Sequence, residues 1–231
     1  MKNFLLASFL FFSCVVFAQY KINEGKIFYD ISYKNLSPDM QRNEHMLPHD
    51  ASFYFKGSKT RMEMGIAGMG KNTTIYDGNS KETVILLNLF GKKLALKKSD
   101  SEMLALKKTI IPDSIKVTSS VTLLPDIKKI AGYICEKAMV KQIIGKDSFI
   151  NECWFSRDIA PYNTMQDPSL DGIPGILMQY SSNASGALMT LTVRMLNPIP
   201  IEDYLFEVPQ EYQVVTEEEL NKLISALKGQ R

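Results

Sequence analysis

The chain has 231 residues, 27 of them Lys or Arg and 25 Asp or Glu, and 45% of its side chains are hydrophobic. A net charge of +2 excludes the strongly basic balance of a dedicated nucleic-acid binder, so no nucleic-acid partner is expected. The composition also excludes collagen and low-complexity disorder, and three cysteines are too few for a disulfide-dense miniature scaffold.

Residues 1–18 read MKNFLLASFLFFSCVVFA. Lys2 gives a positive start, an apolar stretch follows, and Val16 and Ala18 are small at the positions that flank signal-peptidase cleavage. A signal peptide over 1–18 is therefore expected, with a periplasmic or secreted product. The stretch is shorter than the roughly 20 residues needed to span a bilayer. Bulky Phe11 and Phe12 before Cys14 make a poor lipidation signal, so a lipoprotein anchored at Cys14 is not the reading. No other apolar run approaches membrane length.

Alternation of period two then recurs. It predicts strands over 25–34, 51–56, 59–66, 72–76, 82–90 and 93–96, bounded by Gly, Asn or Asp and rich in β-branched and aromatic residues. The run 84–90 (VILLNLF) is apolar on both faces and is expected at the centre of the sheet, under a cover. Ser99 and Glu102 form a capping box, which predicts a short helix to about residue 108. Strands resume over 117–124, 132–143, 148–155, 175–181 and 187–196. Thr216 and Glu219 make a second capping box, and Leu220, Leu223, Ile224 and Leu227 repeat at helical spacing up to Gly229. No linker or repeat interrupts residues 19–231, which are expected to form a single domain. The fold class is mainly β with a few helices (α+β).

Cys135 and Cys153 lie on consecutive predicted strands. A hairpin folded about residue 144 sets them opposite each other and allows a cross-strand disulfide, which is the expectation. A two-residue turn at 145–146 misaligns them, so register decides. Residues 65–72 (GIAGMGKN) imitate a phosphate loop, but Asn72 stands where Ser or Thr would hold magnesium and strand continues where a helix is required. His45 and His49 sit beside Pro48, in a loop rather than on a helix, so no metal site is expected. No nucleophile elbow or zinc-protease motif is present. Asp167 and Asp171 are best read as turn residues beside Pro168 and Gly172. The reading is non-enzymatic, without a cofactor.

Between Lys92 and Lys129 there are nine lysines against four acids. This reads as a charge-guarded sheet edge, or else as an approach surface for anionic headgroups or an acidic partner. Met62, Met64 and Ile66 share one face of a predicted strand, and Phe53 and Phe55 one face of its neighbour. Met178 with Tyr180, and Met189 with Met195, behave similarly. With Trp154, these residues are candidates for lining an apolar ligand site, since methionine packs adaptably, although an ordinary core uses the same types.

Three stretches carry a family resemblance: Ile130-Ala-Gly-Tyr-Ile-Cys-Glu-Lys-Ala138, Glu152-Cys-Trp-Phe-Ser-Arg-Asp-Ile159 and, above all, Gly172-Ile-Pro-Gly-Ile-Leu177. They resemble the GLPGLI-type family of exported Gram-negative bacterial proteins. The ending Asp203-Tyr-Leu-Phe-Glu-Val-Pro-Gln-Glu-Tyr212 resembles the closing strand of the outer-membrane lipoprotein carrier-like group (LolA and LppX). A related family of unknown function, with similar architecture, fits almost as well. The resemblance implies a curved antiparallel half-barrel sheet covered by helices. Within that frame Gly172, Pro174 and Gly175 are structural: Pro174 fixes φ at a strand entrance and the glycines permit the turn. The resemblance implies a carrier that holds a lipid or another hydrophobic small molecule. The alternative is a cell-envelope or secretion scaffold with a filled core, which binds a protein partner. Neither reading defines an oligomeric state.

Overall fold

The computed structural model describes residues 21–66, 70–89, 91–110, 116–160, 168–184 and 187–228. The expected leader over 1–18, with Cys14, lies outside them, as do Asp167, the centre of the phosphate-loop-like segment and the side chain of Ile66.

Twelve strands form one sheet. In chain order they are β1 (Glu24–Lys34), β2 (Asp50–Lys56), β3 (Lys59–Ile66), β4 (Gly70–Asp77), β5 (Glu82–Leu89), β6 (Lys92–Ser99), β7 (Val117–Ile130), β8 (Tyr133–Ile144), β9 (Asp147–Ser156), β10 (Ile176–Ala184), β11 (Ala187–Asn197) and β12 (Gln213–Val214). Their order across the sheet is β12-β6-β5-β4-β3-β2-β1-β11-β10-β9-β8-β7. Three helices complete the chain: α1 (Pro38–Arg42), α2 (Asp100–Ile110) and α3 (Glu217–Lys228).

Both capping boxes form. The Glu102 carboxylate accepts from the Ser99 amide at 2.8 Å while Ser99 Oγ accepts from the Glu102 amide at 3.3 Å, opening α2. Thr216 and Glu219 repeat the pair at 2.8 and 3.3 Å, opening α3. Helix α1 was not legible as an element, although its Ser-Pro start is a familiar signal: Ser37 Oγ accepts from the Met40 amide and Pro38 occupies the first turn.

The expected helix-covered half-barrel is overturned in two respects. The sheet is mixed, because β12 pairs parallel to β6 while every other pairing between the named strands is antiparallel; an isolated parallel bridge joins Ile22 to Ile159. The helices also do not cover the main core. Helix α2 packs beside β5 and β6, and α3 beside β6. Among the described side chains, Leu220 and Leu223 of α3 pack with Leu94, Leu96, Val215, Ile85 and Leu87.

The main core lies on one face of the sheet, and Ile22, Ile159, Leu170 and Ile173, outside the strands, pack into it. It joins Ile27, Tyr29 and Ile31 of β1 to Phe53 and Phe55 of β2, Phe155 of β9, Met178 and Tyr180 of β10, and Leu191 and Val193 of β11. We call this the inner face. Chain length requires the sheet to bend around it. Strands β6 and β7 stand ten positions apart, about 48 Å in a flat sheet. The residues between them, α2 and residues 111–116, can span at most about 37 Å whatever conformation 111–116 adopt.

The run 84–90 is not central but near one edge, in β5. It is apolar on both faces because the C-terminal chain covers both. Residues 198–212 cross the outer face, where Phe206, Val208 and Tyr212 pack on Ile75, Val84, Leu86 and Ala95. The chain then pairs with the edge as β12 and turns onto the inner face as α3. Basic side chains anchor this strap. Lys56 Nζ donates to the Ile201 carbonyl at 2.9 Å and Arg61 to the Leu205 carbonyl at 2.7 Å. Lys93 pairs with Glu211 at 3.4 Å and Lys98 with Glu217 at 2.6 Å. Part of the lysine-rich stretch is thus strap anchorage rather than a lipid-facing surface. Burial alone would raise the Glu63 carboxyl, but hydrogen bonds from Lys71 and Arg61 outweigh it and hold the group below its ordinary range.

Register also corrects the disulfide. The turn at Gly145-Lys146 has two residues, since Ile144 pairs with Asp147. Cys153 therefore faces Ala138, and Cys135 lies three residues along. Both are buried thiols. Burial pushes the Cys135 thiol up to about 11. A raised thiol pKa favours the neutral folded form, so this contribution to stability is complete below about pH 9 and is lost as pH rises towards 11. The difference in denaturant midpoint between wild type and Cys135→Ala is therefore expected to shrink over that interval. A constant difference would refute the assignment.

Candidate interaction face

The residues proposed from sequence to line a ligand site are packed against one another. Phe53 is 1% exposed and Phe55 0%, their rings stacked with centroids 6.1 Å apart. Met178 and Tyr180 are fully covered, and Tyr180 meets Tyr29 edge-on at 6.3 Å. Tyr29 closes the row by donating its hydroxyl to the Leu177 carbonyl at 3.0 Å. Met62, Met64 and Met189 lie against the same cluster.

Trp154 belongs to the same buried cluster but projects from the other side of β9. Register sets it beside Gln179 and Lys137, on the outer face. Its indole donates to Glu152 at 2.7 Å, and Lys128 Nζ sits 4.1 Å above the ring. Lys128 also donates to Gln179, and Lys137 pairs with Glu152 at 2.8 Å. Desolvation lowers the Lys128 pKa against the pull of Glu152. The hydrogen bond from Lys137 holds Glu152 low, and the same bond raises Lys137. Trp154, 8% exposed, is thus held between strands by Glu152 and Lys128.

Met195 also leaves the group assigned to it. A register shift between Phe28 and Tyr29 inserts an extra residue in β11, so Phe28 faces Met195 while Tyr29 faces Val193. The bulge reverses the alternation, leaving Met189 inside and Met195 42% exposed. Sequence alternation alone had no means of locating it.

The motif Gly172-Ile-Pro-Gly175 acts through packing. Ile173, Ile176 and Leu177 are buried in the main core. A Cβ on Gly172 would press Val121 at 3.1 Å, and one on Gly175 would meet the Ser156 carbonyl oxygen at 2.1 Å.

Around Met195 lies a surface that sequence reasoning missed. Lys26 Nζ stands 4.2 Å from the Phe28 ring and 4.7 Å from the Tyr54 ring. Phe28 pairs with Met195, and Lys26 with both Tyr54 and Asn197. Arg194 and Asp30 form an ion pair beside them at 3.2 Å. The signal was present, since Ile27-Phe28-Tyr29 places apolar side chains on both faces of β1. The strap bonds Glu24 and Lys56 at the ends of β1 and β2 and covers Ile75, Val84, Leu86 and Ala95, while Lys26, Phe28, Tyr54 and Met195 share the rest of the outer face. Large amphipathic side chains of this kind are enriched where proteins bind proteins.

Among the described residues no group of three or more His, Cys, Asp and Glu side chains could hold a metal ion. No helix among them is long and apolar enough to cross a membrane.

The fold and this face define a strapped, single-sheet β protein with a closed core and an aromatic–cationic patch. The chain belongs to the family described as a domain of unknown function (DUF4412), whose sequence profile matches residues 38–172, more than half its length. No curated protein matches it.

Proposed function

We propose that the protein is a non-enzymatic interaction module that works outside the cytoplasm and binds a protein partner through the face around Lys26, Phe28, Tyr54 and Met195. The observation that carries this reading is the contrast between that face and the core. The aromatic and sulfur side chains suited to an apolar ligand are in contact with one another, with Phe55 and Met178 at 0% exposure. On the outer face, by contrast, Met195 is 42% exposed beside the half-buried Phe28 and Tyr54, with a cation over two rings. The leader-like residues 1–18 support the exported setting.

Two measurements test it. Native mass spectrometry of the purified protein is expected to show the bare polypeptide mass, with no saturable uptake of a fluorescent fatty acid. A stoichiometric lipid adduct would return the protein to the carrier class. A photo-crosslinking residue at Tyr54 is expected to give one discrete protein adduct in cells, abolished by Met195→Asp at an unchanged melting temperature. Surface substitutions of this kind usually alter stability by no more than about 0.5 kcal/mol. Equal crosslinking with and without Met195→Asp would exclude this face.

A further inference from the structure

We propose that two copies of this chain associate through the outer edge of β7, which pairs antiparallel with itself about a two-fold axis at Ser120. The two edges of the sheet are treated differently. At one end β6 is closed by β12 and paired through its lysines to the strap. At the other end β7 terminates the sheet, and among the described residues no strand pairs with its outer side. Natural sheets guard such edges with charge, proline or a bulge. The second half of β7 has all three, in Pro125, Asp126, Lys128 and Lys129, with a register shift between Leu124 and Ile127. The first half, Val117 to Leu124, has no charge and no proline, and Val117 and Leu123 are both exposed.

The hydrogen-bond phase of this edge is fixed. The Gly145 amide donates to the Lys116 carbonyl at 2.9 Å, which makes that a hydrogen-bonded pair across to β8. Alternate residues onward, Thr118, Ser120 and Thr122, then turn their backbone groups to β8. Val117, Ser119, Val121 and Leu123 turn theirs outward. A two-fold axis at Ser120 sets Val117 against Leu123 and Ser119 against Val121 of the second copy. Every outward N–H and C=O of this segment is then used, in about eight hydrogen bonds. The inner faces of the two sheets stay on one side, Thr118 meets Thr122, and no like charges oppose each other. The ends add opposite charge: Lys116 of each copy comes opposite Leu124 of the other, two residues from Asp126. A register moved by two residues would instead place Pro125 opposite Val117.

This register makes Ser120 a non-hydrogen-bonded pair with itself, the geometry a cross-strand disulfide accepts. Mild oxidation of the Ser120→Cys protein is expected to give a disulfide-linked dimer on a non-reducing gel. Thr118→Cys, which would face Thr122, is expected to give at least about tenfold less, since the sulfurs are then out of bonding range. Ser119→Pro removes an outward amide and leaves the β8 ladder intact. It is expected to weaken association in sedimentation equilibrium by about tenfold or more, with an unchanged melting temperature. A wild-type chain that stays monomeric while Ser120→Cys fails to crosslink would overturn the proposal. So would a dimer indifferent to Ser119→Pro, or equal crosslinking from positions 118 and 120.

Discussion

Gly175→Ala is expected to open the seam between β9 and β10 and to destabilise the protein by about 3–5 kcal/mol, the range reserved for a specific internal conflict. The added Cβ would stand 2.1 Å from the Ser156 carbonyl oxygen and 2.7 Å from its carbon. Both are backbone atoms, so no rotamer change relieves the contact and the strands themselves must separate. The next residue, Ile176, pairs with Ser156 and is wholly buried, so the displacement is carried into the main core. Chemical denaturation measures the effect. A midpoint within experimental error of wild type would mean that the two strands do not approach this closely in solution.

Phe55→Ala is the second large expected loss. The Phe55 ring is 0% exposed, stacks on Phe53, and fills the space left by Gly25, where a Cβ would come within 3.2 Å of the ring. Truncation removes the buried ring and leaves a cavity that the surrounding strands can only partly close, at a cost of about 3–5 kcal/mol. Ordinary domain stability is about 5–15 kcal/mol, so the variant is expected to survive but to unfold at a markedly lower urea concentration with an unchanged m-value. A loss below about 1 kcal/mol would show that the site is not close-packed, and would favour a ligand space at that position.

Eleven of the twelve strands were legible in the sequence because each carries an alternating or continuous apolar run between turn residues. Both longer helices were legible because each opens on a capping box that forms as expected. Strand β12 was not, since two residues, Gln213 and Val214, have no period to read. A feature created by distant contacts was also hidden: the bulge opposite Phe28 and Tyr29 moved Met195 outward. For the cysteines both hairpin registers were open in the sequence, and the two-residue turn at Gly145-Lys146 is the one that separates Cys135 from Cys153. The run in β5 was read as apolar on both faces and under a cover, and both faces are packed. Its position was misread because the cover comes from the C-terminal strap rather than from flanking strands. The outer patch was missed for a different reason. Lys26, Phe28 and Tyr54 gather only once β1 and β2 are paired, and no local spacing announces that.

The position of β1 has a kinetic consequence. It lies between β2, its near neighbour in the chain, and β11, which is separated from it by most of the sequence. During synthesis the first six strands can form a meander, but β1 keeps one side unpaired until β11 has been made. The strap, last of all, is what covers β5 and β6 on both faces. Completion of the sheet therefore waits on the final part of the chain, and the loop to be closed between β1 and β11 is long, a topology that folds slowly. A chain released early would retain a sheet open along β1 and bare at β5, with no way to bury either.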